Sequence, residues 1–235
     1  MNASGMLGFA PDFRTPVPWD EFGAFVTNPV SRTPRQPATV SQQIEYPGGF
    51  LLHSGLPNPG LQRVVQQYAR RWEDSSLPII VHLIADAPDV ITEMVQELED
   101  IENILAIELG FPNNVEADWP LAATRAATGE LPLIVALTSE QASRLAQPVI
   151  DAGAAAVSLS APRGALMVDG KIISGRLYGP GLFPQALETV RQLVENGIPV
   201  IGGNGVYKRE QAEAMRETGA LGVQLDTVLW QGNWG

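Results

Sequence analysis

From residue 78 onward, short β-branched apolar runs alternate with longer stretches whose apolar residues recur every three or four positions. Pro78-Ile79-Ile80-Val81-His82-Leu83-Ile84 predicts a buried strand. Val90, Ile91, Met94, Val95 and Leu98 then fall on one face of a helix over Asp89–Asp100. The alternation continues with a strand at Asn103–Leu109, a weak helix at Asp118–Thr128 and a strand at Pro132–Leu137. A helix at Ser139–Ala152 and a strand at Ala154–Leu159 follow, then an irregular segment through Arg176. The last units are helix Pro184–Asn196, strand Pro199–Ile201, helix Lys208–Thr218 and strand Leu221–Leu225. The proline-rich first seventy residues predict loops, a strand at Gly23–Thr27 and a helix at Asn58–Trp72.

Repeated strand–helix units imply a parallel sheet with right-handed crossovers. Leu133-Ile134-Val135-Ala136-Leu137 is continuously apolar, as expected of a strand covered on both faces. The pattern alone fits a closed barrel or an open doubly wound sheet. No linker or charge run divides the 235 residues, so a single domain over 1–235 is expected.

Composition narrows the chemistry. The chain has no cysteine and only two histidines, His53 and His82, so neither a thiolate nor a histidine-rich metal site is expected. A net charge of −11 opposes nucleic-acid binding. The longest apolar run, Leu77–Ala85, is too short to span a bilayer, and no basic leader precedes it, so a cytoplasmic protein is expected. Only two of the fifteen basic residues are lysines, Lys171 and Lys208.

Several segments, in order, resemble class 1 dihydroorotate dehydrogenases. Asn2-Ala3-Ser4-Gly5 is similar to that family's first-strand Ala-Ser-Gly, and Gly23–Thr27 to its second strand. Ser54-Gly55-Leu56-Pro57-Asn58-Pro59-Gly60 resembles its Gly-Leu-x-Asn-Pro-Gly turn. Glu108-Leu109-Gly110-Phe111-Pro112-Asn113 falls where the family has Asn-x-x-Cys-Pro-Asn. Gly179-Pro180 with Pro184, Gly202-Gly203-Asn204-Gly205 and Asp226-Thr227 match later anchors. The resemblance implies an α/β fold, a (β/α)8 TIM barrel shortened at its N-terminus and loops, FMN as cofactor, pyrimidine biosynthesis and a homodimer. It points to Ala3, Ser4, Gly5, Thr27, Gly202, Gly203, Gly205 and Thr227 as flavin contacts, and to Asn58, Asn113 and Ser160 as substrate contacts.

The same comparison exposes losses. Oxidising dihydroorotate needs a base for one proton while a hydride leaves to the flavin. The family's base is a cysteine, and Phe111 stands in its place. Asn28 and Ala136 replace the two flavin lysines, Leu52 a substrate asparagine, and Asp226 a phosphate-loop glycine. Glu108 and His53 are the remaining candidate acid–base groups; each also has a structural reading, Glu108 paired with an arginine and His53 bonded to backbone. His82 reads as a packed core histidine. Asp226 either opposes a phosphate or caps the helical turn near Leu229-Trp230. Arg163 and Arg176 flank the segment around Asp169-Gly170, where the resemblance implies a β-hairpin near the site's mouth, and are either anion ligands or solvated loop arginines. Trp230, Trp234 and Tyr178 suit either a subunit interface or the barrel itself. The expectation is a family member that no longer oxidises dihydroorotate and serves a binding or non-canonical role. The alternative is an FMN-dependent oxidoreductase acting on a CH–CH bond of another small cyclic substrate.

Overall fold

The computed structural model describes residues 1–39, 42–84, 86–111, 118–232 and 234. Seven strands form one parallel sheet: β1 (Phe25–Val26), β4 (Ile79–Ile84), β5 (Ile104–Gly110), β6 (Leu133–Leu137), β7 (Ala156–Leu159), β10 (Val200–Gly202) and β11 (Gly222–Val223), in that spatial order. Between and after them run helices α1 (Leu61–Glu73), α2 (Pro88–Glu99), α3 (Trp119–Ala127), α4 (Ser139–Asp151), α5 (Phe183–Glu195), α6 (Arg209–Glu217) and α7 (Val228–Gln231). The stripe Ile91, Met94, Val95 and Leu98 of α2 is buried, as its spacing requires.

The N-terminal segment closes the curl. Ala3 N–H donates to the Leu225 carbonyl at 2.7 Å and Leu225 N–H to that of Met1 at 2.9 Å, which makes a parallel bridge between Asn2 and Leu225. On its other side, the Asn2 side chain substitutes for a backbone ladder. Its Nδ2 donates to the Val26 carbonyl at 2.6 Å, and its Oδ1 accepts from Val26 N–H at 3.1 Å. The N-terminal segment is thus the first stave, bridged to Leu225 through its backbone and to β1 through one wholly buried carboxamide.

Two apolar bodies result. The larger lies between staves and helices and includes Phe25, Trp72, Leu83, Leu109 and Val135. The smaller fills the barrel interior with Ala24, Val26, Ile80, Ala106, Ile134, Ala156 and Ile201. Because strand side chains alternate, the residues two positions further along share this inward face. They are His82, Glu108, Ala136 and Ser158, so the interior turns polar one layer above its apolar floor.

A second sheet departs from the sequence reading. The predicted loops before residue 54 contain β2 (Gln42–Tyr46) and β3 (Gly49–His53), and the predicted irregular segment is a hairpin, β8 (Arg163–Val168) and β9 (Lys171–Tyr178). They pair antiparallel in the order β2-β3-β9-β8. Their alternation is muted because much of this sheet is exposed, with Met167 at 67% and Ile172 at 68%. Asp169-Gly170, both at positive φ, turns the hairpin.

Candidate active site

A cavity of about 520 Å³ opens at the C-terminal ends of the parallel strands, between them and the antiparallel sheet. Its inner wall holds His82, Glu108, Ala136, Ser160, Asn204, Gln224 and Asp226, together with Ala3, Ser4 and Gly5 from the first stave. The segment Leu52–Pro57 and the side chains Arg163, Ser174, Arg176 and Tyr178 form the opposite wall.

Glu108 is the hub of the polar layer. Its Oε2 lies 2.6 Å from His82 Nδ1, and its Oε1 accepts from Ser158 Oγ and Gln224 Nε2, each at 2.6 Å. Burial pushes this carboxyl up, but the bonds and charge of His82 and the bonds of Ser158 and Gln224 outweigh it, holding Glu108 below the usual glutamate value. The expected arginine partner is replaced by a histidine, and His82 lines the cavity instead of packing only in the core. A β-bulge brings the two together. Ile79 pairs with Ile104 but Ile80 with Ala106, so Leu105 is extruded, 49% exposed, and His82 stands opposite Glu108.

The mouth is basic. Arg163 and Arg176 are direct cross-strand partners on β8 and β9, and among the described residues neither has an ion pair. Arg176 Nη1 donates to the Ala161 carbonyl at 3.0 Å. Partial desolvation, and then the Arg176 charge, lower Arg163 to about 10. Arg35 also lines the cavity and lies 3.5 Å from Asp86. His53 sits on the rim with Nδ1 2.8 Å from the Ser174 carbonyl, a backbone bond that suits its structural reading.

Other expected contacts turn elsewhere. Thr27 is buried beside the first stave, where its Oγ1 accepts His82 N–H at 3.0 Å and its carbonyl accepts the Ser4 hydroxyl at 2.8 Å. Asn58 is buried outside the cavity lining; it holds its own turn by accepting from Gly60 N–H and Ser31 N–H and donating to Ser31 Oγ. Asn113 lies outside the described residues. Phe111 lines the cavity and packs edge-on against Trp119, ring centres 5.8 Å apart. Lys171 is on the hairpin and Lys208 precedes α6, so neither described lysine supplies the missing cavity charge. Trp230 Nε1 bonds the Met6 carbonyl, Trp234 Nε1 bonds Glu21, and Tyr178 stacks near Phe50; all three are engaged on the chain's own barrel.

The glycine loop after β10 shows how a flavin phosphate would fare. Gly205 N–H donates to Asp226 Oδ2 at 3.3 Å, so a phosphate oxygen seeking that donor must displace a carboxylate. Thr227 Oγ1 lies 3.3 Å from Asp226 Oδ1 and 2.7 Å from the Tyr207 hydroxyl, while Asn204 Nδ2 donates to the Ser160 carbonyl. Gly202, Gly203 and Gly205 are outside the cavity wall, and a side chain at any of them would crowd a neighbour: Met215, the Leu159 carbonyl and Phe183 N respectively. Gly205 N–H is bonded internally and the buried Asp226 places a carboxylate against it, so the residues present do not fit a phosphate dianion. Burial raises the Asp226 pKa, with its hydrogen bonds opposing that shift.

The dihydroorotate dehydrogenase profile matches residues 1–234. The chain is 30% identical to proteins named dihydroorotate dehydrogenase B (NAD(+)), catalytic subunit, from Pelobacter propionicus and Trichlorobacter lovleyi. Each alignment covers 97% of this chain and 82% of the relative. A FabK variant from Thermotoga maritima superposes with a TM-score of 0.46 at 19% identity, over 73% of this chain and 50% of that one. With the barrel and the order of its anchors, the near full-length match makes the chain a member of the dihydroorotate dehydrogenase family.

Proposed function

We propose that this family member does not oxidise dihydroorotate and instead holds a small anionic molecule in the barrel-mouth cavity. The observation that carries the first half is Asp226 Oδ2 on Gly205 N–H, which occupies the phosphate cradle with a like charge. Phe111 supports it, because a phenyl ring accepts no proton at the expected base position. The second half is supported by Arg163 and Arg176. Like charges directly opposite across a ladder destabilise it. Two arginines facing one cavity without an acidic partner among the described residues are accounted for by an anionic ligand bridging them.

The test begins with the absorbance of the purified protein. Colourless protein that takes up no added FMN is expected, together with calorimetric binding of a small carboxylate that weakens tenfold or more in Arg163→Gln. A yellow protein bleached by dihydroorotate would overturn the reading. Bound flavin reduced by another cyclic substrate would establish the alternative, an altered FMN oxidoreductase.

A further inference from the structure

We infer that His82 and Glu108 form a proton-transfer centre facing the cavity, acting on a small carboxylate that carries an acidic C–H beside a carbonyl. This rests on the proposed anion-binding role and adds a reaction to it.

The geometry fixes which nitrogen faces the ligand. An ionised Glu108 only accepts hydrogen bonds, and it already takes one from Ser158 and one from Gln224. At 2.6 Å its Oε2 must receive the proton on His82 Nδ1, which leaves the lone pair of a neutral ring on Nε2. Nε2 bonds no described residue and is not sealed from solvent, and His82 is part of the cavity wall. A carboxylate that orients an imidazole and stabilises its protonated form is the arrangement that makes histidine an effective general base.

The surroundings are built for this ring. Any Cβ at position 110 would lie 2.5 Å from Nε2, so Gly110 provides the room the imidazole occupies. The bulge at Leu105 sets the register that pairs the two residues. A purely packed histidine needs neither a three-donor carboxylate behind it nor an open nitrogen in front.

The substrate class follows from charge and balance. Arg163 and Arg176 on the opposite wall favour a carboxylate. Nε2 removes a proton from the carbon beside the carbonyl, and the C–H electron pair moves into an enolate. The same proton then returns from the imidazolium to that carbon or to the enolate oxygen. Nothing is oxidised or reduced, and no other reactant is consumed.

The experiment incubates the full-length protein in D2O with pyruvate, 2-oxoglutarate and dihydroorotate and follows loss of the adjacent C–H signals by proton NMR. Calorimetry on the same samples scores binding separately. Protein-dependent exchange is expected with at least one of the three. His82→Gln should slow it by roughly 10²–10⁴-fold with binding retained. With only two histidines in the chain, a His53→Gln background leaves one imidazole in nitrogen NMR spectra. There Nε2 should be the unprotonated nitrogen of the neutral ring, and Glu108→Gln should lose that tautomer preference. Binding without exchange above the His82→Gln rate would overturn the proton-transfer centre and leave the anion site standing. No binding of any of the three overturns both.

Discussion

The charge in the phosphate cradle gives the sharpest test of why this barrel differs from its relatives. Replacing Asp226 by Gly removes both the carboxylate and its bulk, and Asp226→Asn removes the charge while keeping an acceptor for Gly205 N–H. Asp226 Oδ2 lies 3.3 Å from Gly205 N, so a phosphate oxygen bound to that N–H stands within ~4 Å of a carboxylate oxygen if the side chain stays near. Two unit charges at ~4 Å repel by about 4 kcal/mol at an effective dielectric near 20, or roughly a thousandfold in Kd. Asp226 is 2% exposed, so solvent screens little of this. Its raised pKa reduces the repulsion toward acid, where the group is neutral. Titration calorimetry with inorganic phosphate and FMN at neutral pH should show Asp226→Gly binding both roughly ten- to a thousandfold more tightly than wild type. Asp226→Asn should recover the electrostatic part, and the advantage of both should shrink as pH falls. Equal affinities for wild type and Asp226→Gly across the pH range would refute the argument that this carboxylate excludes phosphate.

Further predictions follow from the same contacts. Asp226→Asn should raise stability at neutral pH: the folded-state pKa is raised, so Asp226 stabilises fully below its ordinary 3.8 and loses that contribution as pH rises through the folded value. Thermal melts across pH would show the variant's advantage appearing only on the alkaline side. Glu108 has the opposite sign, its contribution being present above 4.5 and lost as pH falls through its lower folded value. Glu108→Gln should cost about 1–3 kcal/mol at neutral pH by spoiling a buried acceptor shared by His82, Ser158 and Gln224, and should flatten the acid limb in urea titrations. Asn2→Ala strands Val26 N–H and C=O; at about 1–3 kcal/mol for each buried group, it should lower unfolding free energy by about 2–6 kcal/mol. A methyl at Gly49 would overlap the Tyr178 carbonyl. Gly49→Ala should therefore speed hydrogen exchange at Leu51 and Leu52 while leaving Val81 protected.

The legible parts of the sequence were those whose periodicity tertiary structure reinforces. From Ile79 to Val223 the helical stripes and continuous apolar strands recur within a few residues of their predicted bounds, because both strand faces are covered. β2 was invisible: Gln42-Gln43-Ile44-Glu45-Tyr46 is held by β3, not by a core of its own. Lys171–Tyr178 is not readable from periodicity, because one end of its hairpin lies in solvent; the family resemblance alone implies a hairpin there. At the site, Glu108 stands out in the sequence as a carboxylate at a strand end, whereas His82 reads as core within an apolar run. Their pairing was not readable from residue counts. An unbroken register from Ile79–Ile104 would set His82 against Ile107, and only the extra residue at Leu105 brings Glu108 across. A histidine in an otherwise apolar strand, one strand before a buried acid, was the available clue. Thr27 and Asn58 resemble ligand contacts, yet their bonds are spent on backbone geometry.

The carboxamide stitch at Asn2 has a consequence for how the chain is made. Residue 2 must meet Val26 on one flank and Leu225 on the other, so the cylinder stays unsealed until Leu225 has left the ribosome. A product truncated before Leu225 would leave the backbone of Ala3 unpaired on the side that faces the final stave. Such an open margin can template pairing with another copy, which makes incomplete translation products of this protein aggregation-prone.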